Sequence, residues 1–124
     1  MPDLNPINLA LLLLPKGISE FFTIIAVTES MDEIRISLDE NDIHPEEYKN
    51  DKLTSKGYFE PISVQDFPLR GKCVYLDIRR RRWINETIGT IVWRDWELVA
   101  KGTRMTKEFA SFLKEISRYK AGKL

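Results

Sequence analysis

Hydrophobic and polar positions change period several times along this 124-residue chain, and each change predicts an element. Residues 22–28 (FTIIAVT) are rich in β-branched side chains. Residues 33–39 (EIRISLD) alternate cleanly, with Ile34, Ile36 and Leu38 on one face. Alternation at a period of two marks a strand with one buried side. Ser30-Met31-Asp32 between the two runs predicts a hairpin turn. Residues 58–64 predict another strand, in which Pro61 argues for an edge or a bend. The longest expected strand is 72–84, with Val74, Leu76 and Ile78 on one face and Tyr75, Asp77, Arg79, Arg81 and Trp83 on the other. Arg70-Gly71 supplies the turn before it, and residues 88–99 are its expected antiparallel partner across Asn85-Glu86-Thr87.

Helical periods occur at the two ends. Asn5-Pro6 and Pro15 bracket the apolar residues 7–14, which predict a two-turn helix with Pro6 suited to its first turn. Its leucines run all round the helix, so it needs a groove or a partner to cover it. Residues 18–22 predict one further turn. At the other end Thr106 is a good N-cap, Glu108 complements the dipole, and Phe109, Phe112, Leu113 and Ile116 form an apolar stripe. Residues 40–57 are polar, contain Pro45 and hold no period, which predicts a loop with a helical turn starting at Pro45. The sum is an α+β fold: an antiparallel β-meander of about five strands with a short N-terminal helix and an amphipathic C-terminal helix. It reads as one domain over 1–124, with an acidic part at about 1–56 and a basic part at about 57–124.

Charge changes this picture. The chain is neutral overall, yet residues 1–66 hold thirteen acids against five Lys and Arg, a net of −8. Residues 67–124 hold six acids against fourteen, a net of +8. The positive part is focused by Arg79, Arg80, Arg81 and Arg82, followed at once by Trp83. Cations beside aromatic rings suit a polyanion, because they neutralise phosphates and release counterions. In a strand Arg79 and Arg81 point one way and Arg80 and Arg82 the other. A sheet packed on one face cannot bury two arginines without paired acids, so this strand end is expected to project into solvent. The alternative is a solvated strand end paired with acids such as Asp77, Asp95 and Glu97.

Three tryptophans, Trp83, Trp93 and Trp96, lie on the two arms of the expected hairpin, where cross-strand packing is their ordinary role. The functional alternative is stacking on a base, for which Trp83 is best placed. Arg104 and Lys107 flank the start of the last helix and read either as a second phosphate contact or as part of an ordinary cap. His44 before Pro45 reads as a turn residue, and Cys73 as inert packing on a strand face.

One cysteine and one histidine allow neither an internal disulfide nor an all-protein Cys/His zinc site, which fits a reducing cytoplasm. The apolar run 9–14 is too short to span a bilayer and is a poor signal peptide. No glycine-rich phosphate loop, nucleophile elbow or metal-ligand spacing is present. The expectation is therefore a cytoplasmic, non-catalytic protein with no catalytic residue, cofactor, metal or membrane partner.

The segments FPLRGKCVYLDIRRRRW (67–83) and LVAKGTRMTKEFASFLK (98–114) resemble the N-terminal region protein of bacterial insertion-sequence transposases of the ISAon type. HPEEYKNDKLTSKG (44–57) and ISVQDF (62–67) are similar to it as well, and the likeness covers roughly 7–120. In that family a separate, longer chain carries the acidic residues of a DDE-type nuclease. The resemblance therefore implies a non-catalytic component of a mobile-element transposase that binds DNA at the element ends and partners the catalytic chain. Arg79, Arg80, Arg81, Arg82, Trp83, Arg104 and Lys107 would be the DNA-binding residues. A broader related clade continues the arginine-rich strand into a cysteine zinc ribbon. Here Trp83 stands where those cysteines would begin and no CxxC follows, which implies a metal-free ribbon packed by Trp83, Trp93 and Trp96. The clade also leads toward a helix-turn-helix, of which this sequence holds only one good helix.

A rival reading from another class is an interaction subunit. Its acidic part and the 7–14 helix would dock on the basic catalytic chain, with no DNA contact of its own. A degenerate remnant with weak, sequence-blind binding is a third, and a homo-oligomer stays open under each. Should the two charged parts face each other, the monomer would be partly self-shielded, and removing residues 1–56 would strengthen DNA binding.

Overall fold

In the computed structural model, residues 14–15, 18–94, 96, 105–111 and 113–114 are described. The expected N-terminal helix at 7–14 therefore lies almost wholly outside the described residues, as do Arg104, Phe112 and Ile116.

Among the described residues seven strands form two sheets. The first has the order β1-β2-β5-β4, from β1 (Phe22–Glu29), β2 (Glu33–Glu40), β5 (Lys72–Arg79) and β4 (Ile62–Leu69). The second has the order β3-β6-β7, from β3 (Leu53–Tyr58), β6 (Arg81–Asn85) and β7 (Thr90–Trp93). The β1–β2 hairpin forms across Ser30–Asp32 as its pattern predicts, and the Ser30 hydroxyl accepts from the Glu33 N–H. A bulge between Ile24 and Ala26 leaves Ile25 exposed and returns Val27 to the side facing the core. Arg70 and Gly71 both have positive φ, +53° and +80°, and close the β4–β5 hairpin in two residues, as a type I′ turn requires.

The meander is corrected. β2 and β5 pair in parallel, Ile34 opposite Val74 and Leu38 opposite Ile78, so β5 enters between β2 and β4. That register puts Ile36, Leu38, Leu76 and Ile78 in the centre of one buried face, joined by Phe22, Ile24, Val64 and Val74, with Ile18 packed onto them. Placing β2 beside β5 puts the two cleanly alternating apolar faces next to each other at the sheet centre, and removal of that surface from water is the main drive to fold.

The expected single strand 72–84 is two strands. It breaks at Arg80 and changes sheets, because Glu40 ends β2 and the parallel ladder stops at Asp39–Arg79. The loop expected over 40–57 holds a 3-10 turn at Glu46–Tyr48, near the predicted turn at Pro45, but also β3. β3 (LTSKGY) lacks alternation because none of its side chains is fully buried; backbone pairing with β6 makes it a strand. The boundary expected near residue 56 falls inside β3. Pro61 is the bend between strands of different sheets, and the strand expected at 58–64 begins instead at Ile62. The partner expected at 88–99 shortens to Thr90–Trp93. The buried Asn85 side chain accepts from the N–H groups of Thr87 and Ile88, and its backbone carbonyl from Gly89, which prolongs the turn.

Thr106 caps the last helix as expected. Its side-chain oxygen accepts from the Phe109 N–H at 3.3 Å and donates to the buried Asp66 carboxylate at 2.8 Å. Residues 107–111 and 113–114 are helical, and Phe109 is buried beside Phe67.

Candidate nucleic-acid interface

The four arginines lie across the break between the sheets, and the alternation of the strand divides them in pairs. Arg79 and Arg81 both lie over the Tyr58 ring, 4.2 and 4.8 Å from its centroid. Arg80 and Arg82 both lie over the Phe59 ring, at 5.0 and 5.7 Å. Two consecutive aromatic residues at the end of β3 thus serve the two faces of the strand. A guanidinium over a ring is attracted by the ring's quadrupole, and the contact orders the side chain without using its hydrogen-bond donors.

The first pair is bound internally. Arg79 chelates Asp39 through Nε and Nη2, which holds its guanidinium pKa above the ordinary value. Arg81 donates through Nε to the Glu40 carbonyl at 3.1 Å, through Nη2 to the Tyr58 hydroxyl at 2.8 Å and through Nη1 to the Ser55 hydroxyl. The Arg81 N–H, freed where the ladder ends, goes to the Glu40 carboxylate at 3.0 Å. Glu40 is 1% exposed, and Arg94 Nε lies 3.6 Å from its second oxygen. Burial raises the pKa of this carboxyl, opposed by the Arg81 N–H, the Trp96 indole and the charge of Arg94.

The second pair meets no carboxylate among the described residues. Arg82 Nε donates to the Lys56 carbonyl at 3.2 Å, and Arg80 Nε is buried without a hydrogen-bond partner. Arg82 is directly opposite Trp93, and Ile84 is opposite Ile91, so these four share the outer face of the second sheet. Trp93 is 48% exposed and meets Phe59 edge to face at 5.6 Å. Lys56 and Thr54 on β3 are exposed too. The result is a sheet face with arginines, a lysine and a half-exposed indole.

The other expected site residues fall elsewhere. Trp83 is corrected: it faces inward opposite Val92, is 0% exposed and donates from Nε1 to Asp42 at 2.7 Å, so it offers no ring face to a base. The inward-facing set switches at the break, from Val74, Leu76 and Ile78 in β5 to Trp83 and Asn85 in β6, and this switch brings Trp83 inside. Trp96 packs on Phe21 and Phe22, whereas Trp93 lies at the surface, so the three tryptophans do not form one packing unit. Lys107 is exposed at the start of the last helix and follows Thr106, which bonds Gln65 and Asp66, the partners of Tyr75 and Val74. It therefore lies toward the opposite end of β5 from Arg80, about 20 Å away along the strand at ~3.3 Å per residue. The acids that pair with the run are Asp39 and Glu40 of the acidic part, not Asp77, which is taken by Arg35 at 2.9 Å. Asp95 and Glu97 lie outside the described residues.

Sequence reading missed Phe59, Lys56 and the exposure of Trp93. The Tyr58-Phe59 doublet is visible in the sequence, but its placement against the arginines depends on β3 pairing with β6.

Among the described residues no group of three or more His, Cys, Asp or Glu could hold a metal ion, and no helix is long and apolar enough to cross a membrane. No family model, curated protein or solved structure matches the chain.

Proposed function

We propose that this chain binds nucleic acid through the outer face of the β3-β6-β7 sheet and acts as a non-catalytic, DNA-end-binding component of an insertion-sequence transposase, beside a separate catalytic chain. One observation carries the binding reading: Arg80 and Arg82 are ordered over Phe59 and meet no carboxylate, next to exposed Lys56 and Trp93. Ordered cations without a carboxylate partner are the groups a phosphate chain can take up without breaking an existing ion pair. The transposase part rests on the resemblance of segments 67–83 and 98–114. Among the expected contacts, the proposal keeps Arg80 and Arg82 as principal phosphate ligands and gives Arg79 and Arg81 a structural part.

The test is an anisotropy titration of the whole protein against DNA from an element end and a scrambled sequence, at several salt concentrations. With about three phosphates neutralised, log K should fall against log salt with a slope of about −2 to −3, and Arg80→Ala/Arg82→Ala should make it shallower by about 1.5 to 2. Tighter binding to the element end supports end recognition. Absence of binding to any DNA by folded protein would overturn the proposal in favour of a subunit that docks on the catalytic chain, which a pull-down with that chain would then detect.

A further inference from the structure

We infer that this face recognises unpaired nucleotides, with Trp93 as the platform on which a base stacks and Arg82 and Arg80 as the adjacent phosphate contacts. The inference rests on the nucleic-acid reading above and specifies the form of nucleic acid the same face takes.

The geometry of the sheet favours a single strand. Three strands about 4.8 Å apart span about 10 Å between the outer backbones before side chains are added. The major groove of a duplex is about 12 Å wide and admits a helix or a two-stranded ribbon, so a three-stranded face cannot enter it. Trp93 lies within that face, paired with Arg82 of the central strand, and Ile91 follows two residues away on the same side. Same-face side chains on a strand are about 6.7 Å apart, roughly twice the 3.4 Å base rise of a stacked strand, so bases resting on them must be unstacked from each other. In a duplex the base faces are covered by their neighbours, and an exposed indole finds nothing to stack on. In an unpaired strand every base offers a face.

Charge fixes the class of partner. An apolar peptide would suit Ile91 and Trp93, but it would leave Arg80 and Arg82 without an anion. A nucleotide chain supplies a ring and a phosphate per residue, which matches the directly opposed Trp93–Arg82 pair. Phe59 supports both halves, edge to face with the Trp93 indole and beneath the two guanidinium groups.

The experiment compares a labelled mixed-sequence single strand of about 12 nucleotides with a hairpin duplex of the same sequence, by anisotropy and by tryptophan emission. Of the three tryptophans Trp83 is fully buried and Trp96 half-buried, so quenching of exposed emission reports Trp93. The wild-type protein should bind the single strand at least tenfold more tightly than the hairpin and show quenching. Trp93→Ala should weaken single-strand binding by about ten- to a hundredfold, as the loss of one base–aromatic stack does. Trp93→Phe should recover most of the affinity and show no exposed-tryptophan quenching, which separates stacking from a fold defect. Equal or tighter binding of the hairpin, or an equal loss on both probes in Trp93→Ala, would overturn the single-strand inference and leave the nucleic-acid reading standing. Failure of folded wild-type protein to bind either probe in low salt would overturn both.

Discussion

The polar face of the four-stranded sheet and the outer face of the three-stranded sheet carry the same residue type in opposite states. On the first, Arg35 meets Glu33 and Asp77 and also lies over Tyr75, and Arg79 meets Asp39. On the second, Arg80 and Arg82 lie over an aromatic ring and make no ion pair among the described residues. The difference arises from one strand break. Up to Arg79 the chain runs beside β2, which brings acids of the negative part into register with cations of the positive part. After Arg80 it runs between β3 and β7, where Arg82 is opposite Trp93 and bonds the backbone carbonyl of the exposed Lys56. A continuous cationic run is thus a poor guide to a binding surface; what counts is which of its members the fold has left without a counter-charge.

The sharpest way to break this comparison is through the two tryptophans of the second sheet. Trp83 fills the inner side and Trp93 the outer side of paired strands. Trp83→Ala should cost about 3–5 kcal/mol of stability in urea unfolding, the range for large aromatics removed from a core. Trp93→Ala should cost about 1 kcal/mol or less, mainly its edge-to-face contact with Phe59. Equal costs would mean that the outer face is a packing surface rather than a binding one.

The next effect separates the arginine pairs. Arg81→Ala removes the donors to the Glu40 carbonyl, Ser55 and Tyr58 and should destabilise the fold by about 1–3 kcal/mol, because partly buried acceptors lose a charged donor. Arg82→Ala should cost less, about 1 kcal/mol or below, since it loses one bond to a carbonyl and a long cation–π contact. If Arg82→Ala proves as costly as Arg81→Ala, the claim that only one pair is committed to structure fails.

Much of the first sheet was legible in the sequence because it rests on local signals: alternation at Ile34-Ile36-Leu38 and Val74-Leu76-Ile78, the Arg70-Gly71 turn, and the Thr106 cap. The parallel pairing of β2 with β5 was not, since it joins residues about forty positions apart and no local pattern specifies it. β3 was hidden for a related reason: its residues are mostly exposed, and only its pairing with β6 makes it a strand. The candidate site was half legible. The arginines announce themselves, but their division depends on Glu40 and Arg80, where β2 ends and the sheets change. Trp83 and Trp93 could not be told apart by composition, because inside and outside in β6 and β7 are set by that same change.

The smallest effect, and the most specific to the junction, is the pH dependence that Glu40 gives to stability. Its native pKa is raised from 4.5, chiefly by burial, so the folded chain holds this proton more tightly than the unfolded chain does. A group of this kind contributes stability that is fully present below the ordinary carboxylate range and is lost as pH rises through the raised native value. Glu40→Gln keeps an acceptor for the Arg81 N–H and cannot ionise. The stability difference between variant and wild type should therefore be flat at low pH and move in favour of the variant as pH rises from about 4.5, measured by urea unfolding across a pH series. Movement in the wild type's favour would mean that Arg94 and the Arg81 N–H outweigh burial. Glu40 would then act as a true counter-ion to the run, and the junction of the two sheets would be anchored by charge.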